Sequence, residues 1–318
     1  MNNIPINLLS LYSDVLQRRR LEQVAPASIS RKRTGSEVHL YASVRQGAKR
    51  RQFYLGPEHD AAARSKADAH KKAAAQQGQY KKSVQALKRA GIPGPTVAVG
   101  RILAACAADG IFARGAVLIG TLAYQHYPCL VGTFLPEGAA QTEDADLAAT
   151  RIGLRALNAG NSFLETLKNA DPSFVPAPPH RSKLPYRFVS DNGFMVELLA
   201  TPGRSDDVVL LPALQCSALP MPYLDYLLDD PVEALSLYNG GVVVRVPDPA
   251  RFVVHKLMVH QLRKDRTKAI KDLVQARALA QALRIHDPDR LRSAIAKAAR
   301  KGPHWKRLVD KGVKLLDK

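Results

Sequence analysis

The sequence is poor in cysteine, in acid and in long apolar runs, and each shortage closes off a class of protein. Three cysteines among 318 residues, Cys106, Cys129 and Cys216, are far apart, odd in number and never spaced as CxxC. That excludes a disulfide framework and a cysteine-based zinc site, so they read as small buried hydrophobes. No apolar run approaches the ~20 residues that a membrane-crossing helix requires. The opening stretch MNNIPINLLSLYSDVLQRRR lacks the basic, apolar and small-residue succession of a secretory leader. These absences predict a cytoplasmic protein with no membrane partner. With 46% hydrophobic residues the chain still has ample material for a buried core.

Acid is scarce overall, 28 Asp and Glu against 47 Lys and Arg, for a net charge of +19. The imbalance is uneven. Residues 1–100 carry 18 basic and 6 acidic side chains, residues 101–250 carry 10 and 16, and residues 251–318 carry 19 and 6. Two basic flanks around an acidic middle suggest a polyanion gripped from both sides, since neutralising phosphates is the commonest use of such a surface. Solubility is the alternative use of the same charge.

Along the chain, residues 6–24 place Leu8, Leu9, Leu11, Tyr12, Val15 and Leu16 at helical spacing. SISRKR, EVHLYASVR and RRQFYLG follow as β-rich runs separated by TGS and QGAK, which predicts a three-stranded meander. Tyr41, Phe53 and Tyr54 lie there among Arg31, Lys32, Arg33, Arg45, Lys49, Arg50 and Arg51. Such strands can track a nucleic-acid backbone and stack its bases, or the aromatics can form the small core of a thin sheet. From Glu58 to Ala90 strong helix formers predict an exposed helical linker, interrupted at Gly78. GIPGPTVAVG marks a boundary. The middle section mixes strands (AVLIG, the acidic segment, GFMVELLAT) with helices (RILAACAADG, the start at TLAYQHY, ATRIGLRAL), and helix dominates from about Ala250, first to Leu283 and then in a second basic part to Lys318. The order predicts three parts, 1–95, 96–249 and 250–318, with an α/β (α+β) core between a small β meander and a helical C-terminal domain.

The scarce acids are not scattered. TEDADLA places Glu143, Asp144 and Asp146 within four positions, and on a strand Asp144 and Asp146 share a face. Like charges so placed are tolerated when solvated at a turn or bridged by a divalent cation. In GFMVELLATPG, Glu197 is set in an apolar strand, where an ionised carboxylate requires a partner or a metal. A third carboxylate on a neighbouring strand would complete the oxygen-rich donor set that Mg²⁺ prefers. Upstream, AVLIGTLAY runs from an apolar strand through Gly120-Thr121 into a helix, a place for backbone N–H groups and a hydroxyl to meet an anion.

In LIGTLAYQHY, TEDADLA, GFMVELL, VRVPDPARFVVHKL, KAIKDLVQA and RRQFYLGPE, the chain resembles the nucleotidyltransferase superfamily typified by DNA polymerase beta. More closely it resembles bacterial nucleotidyltransferase-fold proteins with a β-rich N-terminal extension. The first motif is usually Gly-Ser and is Gly120-Thr121 here, and the spacing to Asp144 is longer than usual. The resemblance implies that Asp144, Asp146 and Glu197 hold Mg²⁺ or Mn²⁺, with Glu197 on the base side. Gly120 and Thr121 would hold the triphosphate of an NTP, helped by Lys256, Lys268 and Lys271. Related toxin-type enzymes carry a Lys-Asp pair that Lys271-Asp272 resembles, with Gln275 standing where a second aspartate is often found.

The expected reaction is attack of an acceptor hydroxyl on the α-phosphorus with release of pyrophosphate, and the basic flanks make RNA, such as a tRNA end, the expected acceptor. Two rivals stay open: a growth-inhibiting toxin, of the toxin-antitoxin kind, that modifies a protein or small molecule, and a nucleic-acid-binding protein on the same scaffold without catalysis. The sequence does not specify an oligomeric state.

Overall fold

The computed structural model describes residues 2–22, 24, 26–46, 49–136, 144–149, 161–178, 183–203 and 208–317. It opens with helix α1 (Ile6–Leu21), which buries Tyr12 and Val15. Strands β1 (Ser28–Thr34), β2 (Glu37–Gln46) and β3 (Lys49–Pro57) then form an antiparallel meander in sequence order. Its inner face is thin: Leu40 packs with Ala63 and Ala67 of the next helix, flanked by Ile29 and Leu55.

That next helix, α2 (Ala61–Arg89), is capped by Asp60, whose carboxylate accepts from the Ala62 amide. The expected interruption at Gly78 does not occur, and the helix is not simply an exposed linker. Its Ala63 and Ala67 lie against the meander, while Tyr80, Val84 and Leu87 form a second cluster with Ile4, Tyr12, Val15, Ile92, Leu235 and Leu237. A glycine in a helix interior costs only about 1 kcal/mol relative to alanine, and packing at both ends outweighs it.

The central sheet is mixed, with seven strands among the described residues. Helix α3 (Val97–Ala108) leads through β4 (Val117–Ile119), α4 (Gly120–Tyr124) and α5 (Pro128–Val131) to β5 (Asp144–Ala149). After α6 (Phe163–Ala170), which starts on a Ser162/Glu165 capping box, come β6 (Val175–Pro176), β7 (Arg187–Val189) and β8 (Met195–Ala200). β9 (Val209–Leu211) and β10 (Cys216–Pro220) finish the sheet. β4 is antiparallel to β5, and β5 is parallel to β8. The other edge of β8 is shared end to end by antiparallel β7 and parallel β10. One face of β5 and β8, carrying Ala145, Leu147, Val196 and Leu198, is buried. The opposite face carries Asp144, Asp146 and Glu197. The helix expected at ATRIGLRAL, and Glu143, lie outside the described residues.

Short α7 (Leu224–Leu227) and the hairpin β11 (Val232–Ser236) and β12 (Val242–Val246) precede four helices: α8 (Pro249–Leu262), α9 (Arg266–His286), α10 (Pro288–Ala299) and α11 (Pro303–Val313). The helix expected from Ala250 to Leu283 is therefore two helices. The chain turns at residues 263–265, and Asp265 caps α9 by accepting from the Lys268 amide. α8 is apolar on most of its circumference, as expected of a helix at the centre of a core. It buries Phe252, Val253, Val254, Leu257 and Met258 in one hydrophobic cluster that runs from Val99 to Val309.

Candidate active site

Two neighbouring strands, β5 and β8, carry the acids. In the ladder, Asp146 stands opposite Ile119 on one side and Glu197 on the other, and Glu197 stands opposite Arg187. Paired residues share a face, so Asp146, Glu197 and Arg187 form a row across the sheet, with Asp144 two positions along. Arg187 closes the row: its Nη2 donates to Glu197 Oε1 at 2.9 Å.

The chain leaving β4 comes close to this row. Gly120 has φ +65, in the left-handed region, and a Cβ built there would stand 2.8 Å from Asp146 Oδ2. Only glycine serves both conditions. Thr121 follows, with its hydroxyl 3.4 Å from Gln275 Nε2 on α9. α4 is five residues long, so the turn offers backbone N–H groups and a hydroxyl rather than a large helix dipole.

The acids are crowded. Asp146 keeps some contact with solvent, yet its carboxyl is pushed up from the usual 3.8 to about 7. Burial is the main cause, and repulsion from Asp144 and Glu197 adds to it, partly offset by Lys256 and Arg263. Asp146 is thus poised between its protonated and ionised forms near neutral pH.

The cations come from the α8–α9 pair. Lys256 is buried, not a surface lysine, and its Nζ donates to Asp272 Oδ1 at 2.5 Å. Arg263 Nε donates to the other oxygen, Oδ2. Asp272 therefore holds two cations that both act on Asp146. Burial lowers the Lys256 ammonium, and Asp272 works against that shift. Lys271 is also lowered by burial while Asp144 raises it, which places it on the acidic side of the cluster. His255 is half-buried, and loss of solvation lowers it to about 3, so it is neutral at ordinary pH. His260 Nδ1 lies 2.7 Å from the Ala269 carbonyl oxygen, within the helix pair.

Of the residues expected from sequence, Gly120, Thr121, Asp144, Asp146, Glu197, Lys256, Lys271 and Asp272 gather around this one region. Asp272 partners Lys256, sixteen positions away, as well as following Lys271 in sequence. Arg187 had not been singled out, because a three-residue strand (Arg187–Val189) is too short to show alternation. Arg263, just past the end of α8, joins the site through Asp272.

The basic N-terminal residues sit elsewhere, on the meander. Arg31 pairs with Glu58 at 2.7 Å, and Lys32 lies 4.8 Å from the Tyr41 ring centroid. Tyr41 and Tyr54 pack against each other on the sheet face opposite Leu40, with Tyr54 56% exposed. Neither belongs to the miniature core, and Phe53, opposite Ala42, is half exposed. Arg33 is exposed, and Arg50 reaches Ser28 Oγ. The side chains of Arg45, Lys49 and Arg51 lie outside those described.

Among the described residues no three His, Cys, Asp or Glu side chains converge into a ready-made metal cage. The donor set nevertheless suits a hard divalent cation: two carboxylates adjacent in register, a third two positions along, and one of them, Asp146, forced towards neutrality by burial and by its acidic neighbours. Glu197 is turned to Arg187.

A mixed sheet bearing an acidic row beside a glycine turn, faced by buried Lys256 and by Arg263 and Lys271, is an arrangement suited to polyphosphate chemistry. The chain belongs to a nucleotidyltransferase family, whose model, described as "Nucleotidyltransferase", matches residues 97–300. Among solved structures it is similar to an antigenic nucleotidyltransferase-like protein from Paracoccidioides brasiliensis. The identity is 17%, covering 62% of this chain and 84% of that one, with a TM-score of 0.28. No curated protein matches the chain. No helix among the described residues is long and apolar enough to cross a membrane.

Proposed function

We propose that the protein is a metal-dependent nucleotidyltransferase that moves a nucleoside monophosphate from an NTP to an acceptor hydroxyl on RNA, a tRNA end being the model acceptor. The observation that carries this reading is the row Asp146–Glu197, with Asp144 beside it, directly under the Gly120-Thr121 turn. Asp144, Asp146 and Glu197 would hold Mg²⁺ or Mn²⁺. When bound, such an ion neutralises developing phosphate charge and acidifies a hydroxyl.

In the transfer, the acceptor oxygen bonds to the α-phosphorus as the bond to the β-phosphate oxygen breaks, and pyrophosphate leaves. Glu197 stands at the side from which the hydroxyl proton departs. The Gly120 and Thr121 amides and the Thr121 hydroxyl bind phosphate oxygens. Lys256 and Lys271, with Asp272 holding Lys256 in place, oppose the triphosphate charge. Residues 96–249 would carry this chemistry and 250–318 its cations. Residues 1–95 would bring the acceptor, through Arg31, Lys32, Arg33, Arg45, Lys49, Arg50 and Arg51, and Tyr54, exposed beside half-buried Tyr41, offers a surface on which a base can stack.

The test is incubation of the protein with each α-labelled NTP, Mg²⁺ or Mn²⁺ and total RNA, resolving labelled RNA and protein together. Label in RNA, lost in Asp144→Ala and Asp146→Ala, is the expected result. Label on protein alone would reassign the acceptor to a side chain, as the toxin reading requires. No label under any condition, with salt-sensitive RNA binding, would leave a binding protein.

A further inference from the structure

The row of charged residues does not end with the acids. Arg187 faces Glu197 across the β7–β8 ladder, as Asp146 does across β5–β8. Its guanidinium is the positive group in direct contact with Glu197, and Lys256 and Arg263 are both drawn to Asp272 on the helical side.

The contact is also incompletely made. One Nη2–H meets Glu197 Oε1, while Arg187 Nε is buried with no hydrogen-bond partner. A guanidinium that meets a carboxylate through both edges holds it far more firmly. A buried donor left unsatisfied weakens the hold further. In the same position Arg187 Cζ lies 5.6 Å from the Tyr186 ring centroid, so the guanidinium is held by the ring as well as by Glu197.

We propose that Arg187 is the resident counter-ion of the acidic row: it neutralises Glu197 in the free protein and competes with a divalent cation for that carboxylate. Arg187 is thus a positioning residue that acts through Glu197 and sets the cation concentration at which the site fills. This inference rests on the carboxylates being the cation site. It makes the opposite demand from an ordinary structural ion pair, which would hold Glu197 ready for the metal and would weaken metal binding when removed.

Mn²⁺ binding to the full chain, followed by electron paramagnetic resonance of the free ion, separates the two without reference to turnover. Arg187→Gln is expected to bind Mn²⁺ about fivefold more tightly than the parent protein, the equivalent of one partly exposed ion pair. Arg187→Lys, which keeps the charge but loses the planar fork, is expected to fall between the two, and tighter Mn²⁺ binding by Arg187→Lys than by the parent stands as the test if Arg187→Gln does not fold. In a Glu197→Gln background the gain from Arg187→Gln is expected to vanish. Equal or weaker Mn²⁺ binding in both Arg187 variants overturns the proposal, as does a gain that survives in the Glu197→Gln background. If the parent protein binds no Mn²⁺ at all, the metal reading of the carboxylates fails and this inference falls with it. Binding by the parent with no gain in the variants removes this inference alone.

Discussion

Asp146→Asn should make the metal-free protein more stable while abolishing transfer. The carboxyl titrates at its ordinary value in the unfolded chain and at about 7 in the folded protein. Between those values the folded state binds more protons, so stability falls as pH rises from about 4 and the full penalty is present above 7. A shift of about three pKa units at ~1.4 kcal/mol each sets a ceiling near 4 kcal/mol. Asp146 keeps some solvent contact, and screening there brings the expectation to about 2 kcal/mol. Urea unfolding in EDTA is the assay. The variant should exceed the parent by ~2 kcal/mol near pH 8, and the difference should shrink as pH falls and be nearly gone by about pH 3, below the ordinary carboxyl value. Mn²⁺ should then stabilise the parent and not the variant. A variant no more stable than the parent at pH 8, or a gain that does not change with pH, would refute the idea that the acids are held together against burial and their own repulsion.

Three further outcomes are expected. Gly120→Ala forces a Cβ to 2.8 Å from Asp146 Oδ2 at a positive φ, so it should lose 1–2 kcal/mol by roughly the left-handed penalty and lose NTP-dependent labelling. Asp272→Asn leaves two cations without their shared carboxylate, one of them buried Lys256. It should cost about 3–5 kcal/mol in urea unfolding, more than Lys256→Met combined with Asp272→Leu. Gly78→Ala, on an exposed stretch of α2 where a Cβ meets nothing within 4 Å, should stabilise by about 0.5–1 kcal/mol, read as a raised Tm.

Much of the site was legible because its signals are local. Alternation exposed the faces of Asp144, Asp146 and Glu197, and an apolar strand ending in Gly-Thr marked the turn. What could not be read was pairing across the sheet and between helices. Nothing in the sequence says that Arg187 lies opposite Glu197, since that follows from where β7 docks. Nor does it say that Asp272 on α9 turns back to Lys256 on α8, because helix–helix register is set by packing. The continuity of α2 was hidden for a different reason. Its buried residues at the sheet end are alanines, Ala63, Ala67 and Ala73, whose burial leaves no hydrophobic stripe against so polar a background.

Helix α2 also works as a ruler and a crank. Between Ala63, under the meander, and Leu87, in the cluster with α1 and β11, the chain climbs ~36 Å at 1.5 Å per residue. The basic strands therefore stand at a set distance from the second cluster and at a set rotation about the helix axis. One residue added midway would swing the tyrosine-bearing face by ~100° while moving it only ~1.5 Å. Seven would carry it ~10 Å outward with its heading nearly kept. Any acceptor that must touch both the meander and the acidic row is in this way selected for length by one dimension of a single helix, and for approach angle by its phase.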